Sequence, residues 1–114
     1  VPLDALRGAA SAEEASSASV RERVTAARAR QQARAGCLNS LLRGDALARS
    51  CSLGADAASL LDAASDRLGL SARAYHRILR LARTIADLDE ADFIAPEHVG
   101  EAVGYRVLDR AVEH

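Results

Sequence analysis

From Ser71 to Leu88 the chain reads SARAYHRILRLARTIADL, and its apolar residues recur at the spacing that places them on one side of an α-helix. Ala74, Ile78, Leu81, Ile85 and Leu88 follow one another at intervals of four, three, four and three, which predicts one continuous buried stripe on a helix over 72–88. Ser71 stands where its hydroxyl can accept from an orphan N–H of the first turn. Such a stripe needs apolar partners, and the composition says of what kind. The 114 residues include 26 Ala and three aromatics, Tyr75, Phe93 and Tyr105. A small, aliphatic core of this type suits closely packed helices and offers little to a β-sheet. The predicted fold class is therefore all-α, a small bundle of four to five helices.

The remaining helices are marked by their ends. Ala57, Leu60, Leu61, Ala64 and Leu68 have helical spacing over 55–68, and Gly69 supplies the stop. Pro96 suits the first position of a last helix running to about Val107, with Val99, Ala102, Val103 and Val107 facing inward. Near the start, Ser19 and Glu22 form an S-x-x-E capping box, which predicts a first helix from Ser19 to Ala35 ended by Gly36. Between Gly36 and Leu53 the short pattern of Leu38, Leu41, Leu42 and Leu47 predicts one or two helical turns. Residues 1–18 contain Pro2, Gly8 and a Ser/Ala/Glu-rich run without usable periodicity, and are expected to be a flexible lead-in. The domain is expected over 19–110 and a tail over 111–114. A first residue that is not Met and a Glu113-His114 ending reminiscent of a purification tag suggest a module cut from a longer protein.

All 15 cations are Arg, against 16 Asp+Glu, for a net charge of -1. With no Lys, the chain cannot contain a P-loop lysine, a pyridoxal-phosphate Schiff base or a lysine general base. It is not expected to be an enzyme by itself. No apolar run approaches the ~20 residues of a membrane span, so a cytoplasmic chain without a membrane partner is expected. Cys37 and Cys51 have no zinc-finger spacing, and both are expected to be partly buried free thiols with no metal.

Chemistry concentrates on the arginines. Arg73, Arg77 and Arg80 lie four and three apart, so all three project from one side of the 72–88 helix beside its apolar stripe. Forked, permanently charged guanidinium groups match phosphate oxygens. The alternative is a solvated face that pairs with the acidic connector at Asp87, Asp89, Glu90 and Asp92, at ~0–1 kcal/mol per exposed pair. The first helix carries Arg21, Arg23, Arg28, Arg30 and Arg34 against Glu22, either as a further solvated face or as a contact for DNA or another subunit. His76 reads either as a phospho-acceptor on a helical hairpin or as a neutral hydrogen-bonding partner, and His98 has no paired ligand in sequence.

Three segments in order resemble one family. LSARAYHRILRLARTIADL (Leu70 to Leu88), VTAARARQQARAGCLNSLLRG (Val24 to Gly44, with a Gly-x-x-Asn-x-x-Leu turn) and HVGEAVGYRVLDR (His98 to Arg110) look like the C-terminal domain of the magnesium-chelatase-like AAA+ proteins of the ComM/YifB group. Gly104, and Ser52-Leu53-Gly54 where the family tends to have Pro-Leu-Asp, are local departures. The resemblance implies an all-helical lid that follows an α/β ATPase core of the same polypeptide. It implies ATP and Mg2+ as cofactors of that parent, none of them bound by this chain alone. It also implies a sensor-2 arginine directed at the nucleotide, which Ser71-Ala72-Arg73-Ala74 matches at Arg73, with Arg77 as second choice. Arg80 and Arg83 are expected to pack and pair within the bundle, while Arg21, Arg28 and Arg80 are candidate DNA or subunit contacts. The partners implied are neighbouring subunits of a hexameric ring and DNA, with branch migration and natural transformation as the parent's role. Two alternatives are an autonomous Arg-rich nucleic-acid-binding domain, using Arg21, Arg28, Arg73, Arg77 and Arg80, and the lid of a true magnesium chelatase subunit.

Overall fold

A computed structural model describes the backbone of residues 3–113 and the side-chain surroundings of residues 16–108. The described residues form five α-helices, α1 (Leu3–Ala35), α2 (Gly44–Ser50), α3 (Ala55–Leu68), α4 (Ala72–Leu88) and α5 (Pro96–Glu113), with a 3-10 turn at Asn39–Leu41 between α1 and α2. Among the described residues there is no sheet; one parallel β-bridge, Leu53 to Ile94, ties the α2–α3 connector to the α4–α5 connector.

α4 is the central element, packed against α5, α1 and the 3-10 turn, while α3 packs on α5. Its start is set by Ser71, whose Oγ accepts from the Ala74 N–H at 3.1 Å. Its end is a Schellman motif: the Glu90 N–H donates to the Asp87 carbonyl at 3.1 Å and the Ala91 N–H to the Ala86 carbonyl at 2.8 Å. The left-handed residue of that motif is Glu90, with φ 58°, where glycine is the usual occupant. α3 ends on Gly69 at φ 62° as its sequence predicts.

The interface between α4 and α5 is made by small residues. Ala82 and Ala86 on α4 and Ala102 on α5 have no solvent exposure, so the two backbones approach closely. Leu42, Leu61 and Val99 are the large apolar side chains sealed completely inside, each contributing about 1.5–3 kcal/mol by its burial.

Three expectations are corrected. The first helix does not begin at a Ser19 capping box: α1 runs unbroken from Leu3 through Ser19. Alanine makes up half of residues 9–18, and its helix propensity extends the helix without any apolar periodicity. The buried stripe of α4 is wider than predicted and turned: Leu81, Ile85 and Leu88 are only partly buried, whereas Ala74, Ile78, Ala82 and Ala86 form the inner line, flanked by Leu79, Arg83 and Asp87. Neighbours on more than one side enlarge the buried arc, and the mutual pairing of Arg83 and Asp87 allows charged residues to enter it. The last helix passes Val107, which is 47% exposed, and continues to Glu113, so residues 111–113 are helical. His114, half of the tag-like ending, lies outside the described residues.

Candidate functional site

The three arginines of α4 meet a fourth that the sequence reading did not single out. Arg43, the residue just before α2, lines a groove of ≈ 400 Å³ together with Ser40, Arg73, Arg77, Arg80, Leu81 and Thr84. Its Nη1 donates to the carbonyls of Ser40 and Leu42 at 3.0 and 2.7 Å, and the Arg80 Nη1 donates to the same Leu42 carbonyl at 3.4 Å. Two guanidinium groups thus converge on one backbone oxygen at the end of the 3-10 turn. Arg73 and Arg77 are exposed on the adjoining turns of α4.

Among the described residues, none of these four arginines has a carboxylate partner. Arg80 shows the consequence: its pKa is lowered by burial and then by the positive charges of Arg43, Arg77 and Arg73, while Cys51 acts in the opposite sense. A concave, cationic surface without a neutralising anion favours a negatively charged ligand.

The acidic connector is engaged elsewhere, which corrects the reading that it neutralises Arg73, Arg77 and Arg80. Asp87 is buried and receives Arg34 from α1, Arg83 from α4 at 3.2 Å, and the Asn39 side-chain N–H at 2.8 Å. Arg83 also donates to the carbonyls of Ala91 and Asp92 at 2.8 and 3.1 Å, the bundle role expected of it. Asp92 pairs with Arg30, and Asp89 with His98. Arg23 donates to the Leu88 carbonyl at 3.4 Å, so Arg23, Arg30 and Arg34 of the basic first helix face the C-terminal end of α4. Asn39, the asparagine of the Gly-x-x-Asn-x-x-Leu turn, links this node to the groove: its Nδ2 donates to Thr84 Oγ1 at 3.1 Å, and that hydroxyl donates to the Arg80 carbonyl.

The other candidates separate. Arg28 lines an adjoining depression of ≈ 280 Å³ that shares Ser40 and Thr84 with the arginine groove. Arg21 lines neither; it sits with Glu22, Thr25 and Ala29 on the outer side of α1. His76 is exposed and meets the ring of Tyr75 edge-on at 6.0 Å, without a catalytic neighbour. His98 is buried: its Nδ1 accepts from the Ala95 N–H at 2.9 Å, so Nε2 carries the proton and donates to Asp89 at 3.0 Å. It closes the first turn of α5. Both cysteines are free thiols; Cys37 is partly buried as expected, whereas Cys51 is fully buried, and burial pushes its pKa up to about 11. Among the described residues no His, Cys, Asp and Glu side chains gather as a metal site, and no helix is long and apolar enough to cross a membrane.

With this geometry in place, comparison with known proteins is decisive on family. The family described as magnesium chelatase, subunit ChlI C-terminal, matches residues 14–106. The chain belongs to that family. This magnesium chelatase C-terminal chain is 46% identical over 99 residues to the uncharacterized protein YifB of Escherichia coli strain K12, covering 87% of the chain and 20% of YifB. It is 45% identical over 97 residues to the competence protein ComM of Haemophilus influenzae, covering 85% of the chain and 19% of ComM. YifB of Salmonella typhimurium is 46% identical over 99 residues, 87% of the chain and 20% of that relative. The chain thus spans about a fifth of the length of the curated relatives it matches. No solved structure matches it. The magnesium chelatase C-terminal domain is accordingly a small all-α bundle, with α4 at its centre.

Proposed function

We propose that this domain is the helical lid of a ComM-like AAA+ ATPase, and that Arg73 contributes to an ATP site completed by the parent's core domain. The observation that supports this reading is the arginine groove at the N-terminal part of α4, cationic, concave and without a carboxylate among its lining residues. Arg73 stands in the first turn of a helix whose start is held by the Ser71 cap, so its guanidinium is carried on a fixed base. Arg77 follows one turn later. The residues present fit the phosphates of a nucleotide, which when bound supplies the phosphoryl group to be transferred. What this chain contributes is positive charge, held where charge on a terminal phosphate would develop, and a rigid link from that charge to the bundle. Mg2+ would be held by the core, because the lining of the groove has donors for phosphate and no carboxylate.

The link runs through Thr84 and Asn39 to the buried Asp87, so α1, the 3-10 turn and α4 move as one body when Arg73 is drawn toward a phosphate. In a ring this makes lid position depend on nucleotide state. One relative is named a competence protein, and we extend to this chain the reading of a hexameric ring that acts on DNA, with α1 and its exposed Arg21 and Arg28 available to a neighbouring subunit or to DNA.

The test is ATP hydrolysis by the full-length parent carrying Arg73→Ala. A loss of about 10-fold or more in turnover with the ring still assembled is expected, in line with removal of a donor to developing charge. Near-normal turnover in an intact ring rejects the assignment of Arg73.

A further inference from the structure

We infer that the groove is a site for a chain of phosphates, rather than for one phosphate, and that Arg43 is one of its binding residues. This rests on the reading of the groove as phosphate-facing and specifies what it takes.

Arg73, Arg77 and Arg80 span eight residues of α4, a row of about 10 Å at the helical rise. Such a row is longer than a single phosphate is wide, so a run of phosphates can engage both of its ends at once. Arg43 doubles the row at its Arg80 end, since both side chains reach the Leu42 carbonyl. A guanidinium carries five N–H donors. The contacts of Arg43 use Nη1 alone, which leaves Nη2 and Nε as a free fork, and Arg80 likewise commits only Nη1. The two tethers therefore orient these guanidinium groups and leave their strongest phosphate-binding edges open. Ser40 adds a hydroxyl to the same wall. Four cations held together without a carboxylate among the groove's lining residues are what a polyanion relieves and a monoanion relieves only in part.

The shared chemistry is a run of phosphate groups, and its source is either the triphosphate arm of a nucleotide or the backbone of a nucleic acid. Binding is measured on the chain itself at low ionic strength by the chemical shifts of the arginine Nε–H groups, with inorganic tripolyphosphate and with orthophosphate. Tripolyphosphate is expected to bind about 10-fold more tightly or better. Arg43→Ala is expected to weaken it by about 10-fold or more, the worth of a charge-assisted hydrogen bond, with Arg43→Lys recovering only part. Arg67→Ala, an exposed arginine of α3 outside the groove, is expected to leave it unchanged. A short oligothymidylate that displaces tripolyphosphate, with an affinity falling steeply with salt, assigns the chain of phosphates to a nucleic-acid backbone. Displacement by ATP and not by the oligonucleotide assigns it to a nucleotide. Equal affinity for the two inorganic anions, or Arg43→Ala binding tripolyphosphate like the unsubstituted chain, overturns the inference. Because ATP turnover is not the readout, failure here is distinct from failure of the Arg73 assignment.

Discussion

The carboxylate of Asp87 lies 3.2 Å from the guanidinium of Arg83, one turn back on α4, and both residues are sealed from solvent at 1% and 3% exposure. A pair so placed contributes little net stability compared with apolar residues of the same shape, but breaking it by removing one partner is costly. Asp87→Ala leaves Arg83 with a buried charge that lacks its counter-ion, and deprives Arg34 and Asn39 of their acceptor. The expected loss is about 3–5 kcal/mol of unfolding free energy. Asp92→Ala removes a carboxylate that is 83% exposed and paired with Arg30 at 3.4 Å. That change is expected to stay within about 0.5 kcal/mol. Urea denaturation of the two variants makes the comparison, and similar losses would contradict the role given to burial.

Glu90 adopts φ 58° to end α4, a conformation in which its Cβ crowds the following carbonyl. Glu90→Gly is expected to stabilise the chain by about 0.5–1 kcal/mol by relieving that crowding. Glu90→Ala keeps the Cβ and is expected to change stability by less than about 0.5 kcal/mol. Thermal melts of both variants check the pair; a destabilised glycine variant would show that the Glu90 side chain holds the motif by other means.

Cys51 makes the stability of the chain depend on alkaline pH. Burial raises its thiol from 9.0 to about 11, so between these values the unfolded chain loses the proton first and the folded chain binds more protons. Unfolding free energy therefore falls as pH rises above 9, by on the order of 2 kcal/mol once pH passes about 11. Cys51→Ala should show a flatter profile than the unsubstituted chain over that window, read as denaturant midpoints. At neutral pH the same burial predicts that an alkylating reagent modifies the partly accessible Cys37 well before Cys51.

Much of the helical framework is legible in the sequence because it depends on neighbours along the chain. Ser71 caps α4, Gly69 ends α3 and Pro96 opens α5 through contacts within a few residues. The 3.6-residue period of α4 likewise reports a helix without knowing its partners. The Ser19 capping box shows the weakness of such signals: the motif is present, yet the helix passes through it, because nothing upstream breaks an alanine-rich run.

The candidate site divides in the same way. Arg73, Arg77 and Arg80 share a side by spacing alone. Arg43 joins them through a carbonyl at Leu42, 38 positions from Arg80, and no local pattern marks it beyond its place directly after the Asn39 turn. The acidic connector looks like a natural partner for the α4 arginines because it is close in sequence. Folding gives Asp87, Asp89 and Asp92 instead to Arg30, Arg34, Arg83 and His98.

By itself the sequence determined the class of fold and the row of arginines, since helix periodicity, caps and same-side projection are properties of a single helix in any surroundings. Only the tertiary structure decided which charges are neutralised and which are left free. Ion pairing depends on distances between elements, and here the approach of α1 to the end of α4 engages Asp87 and Asp92, while His98 takes Asp89, and the groove is left cationic.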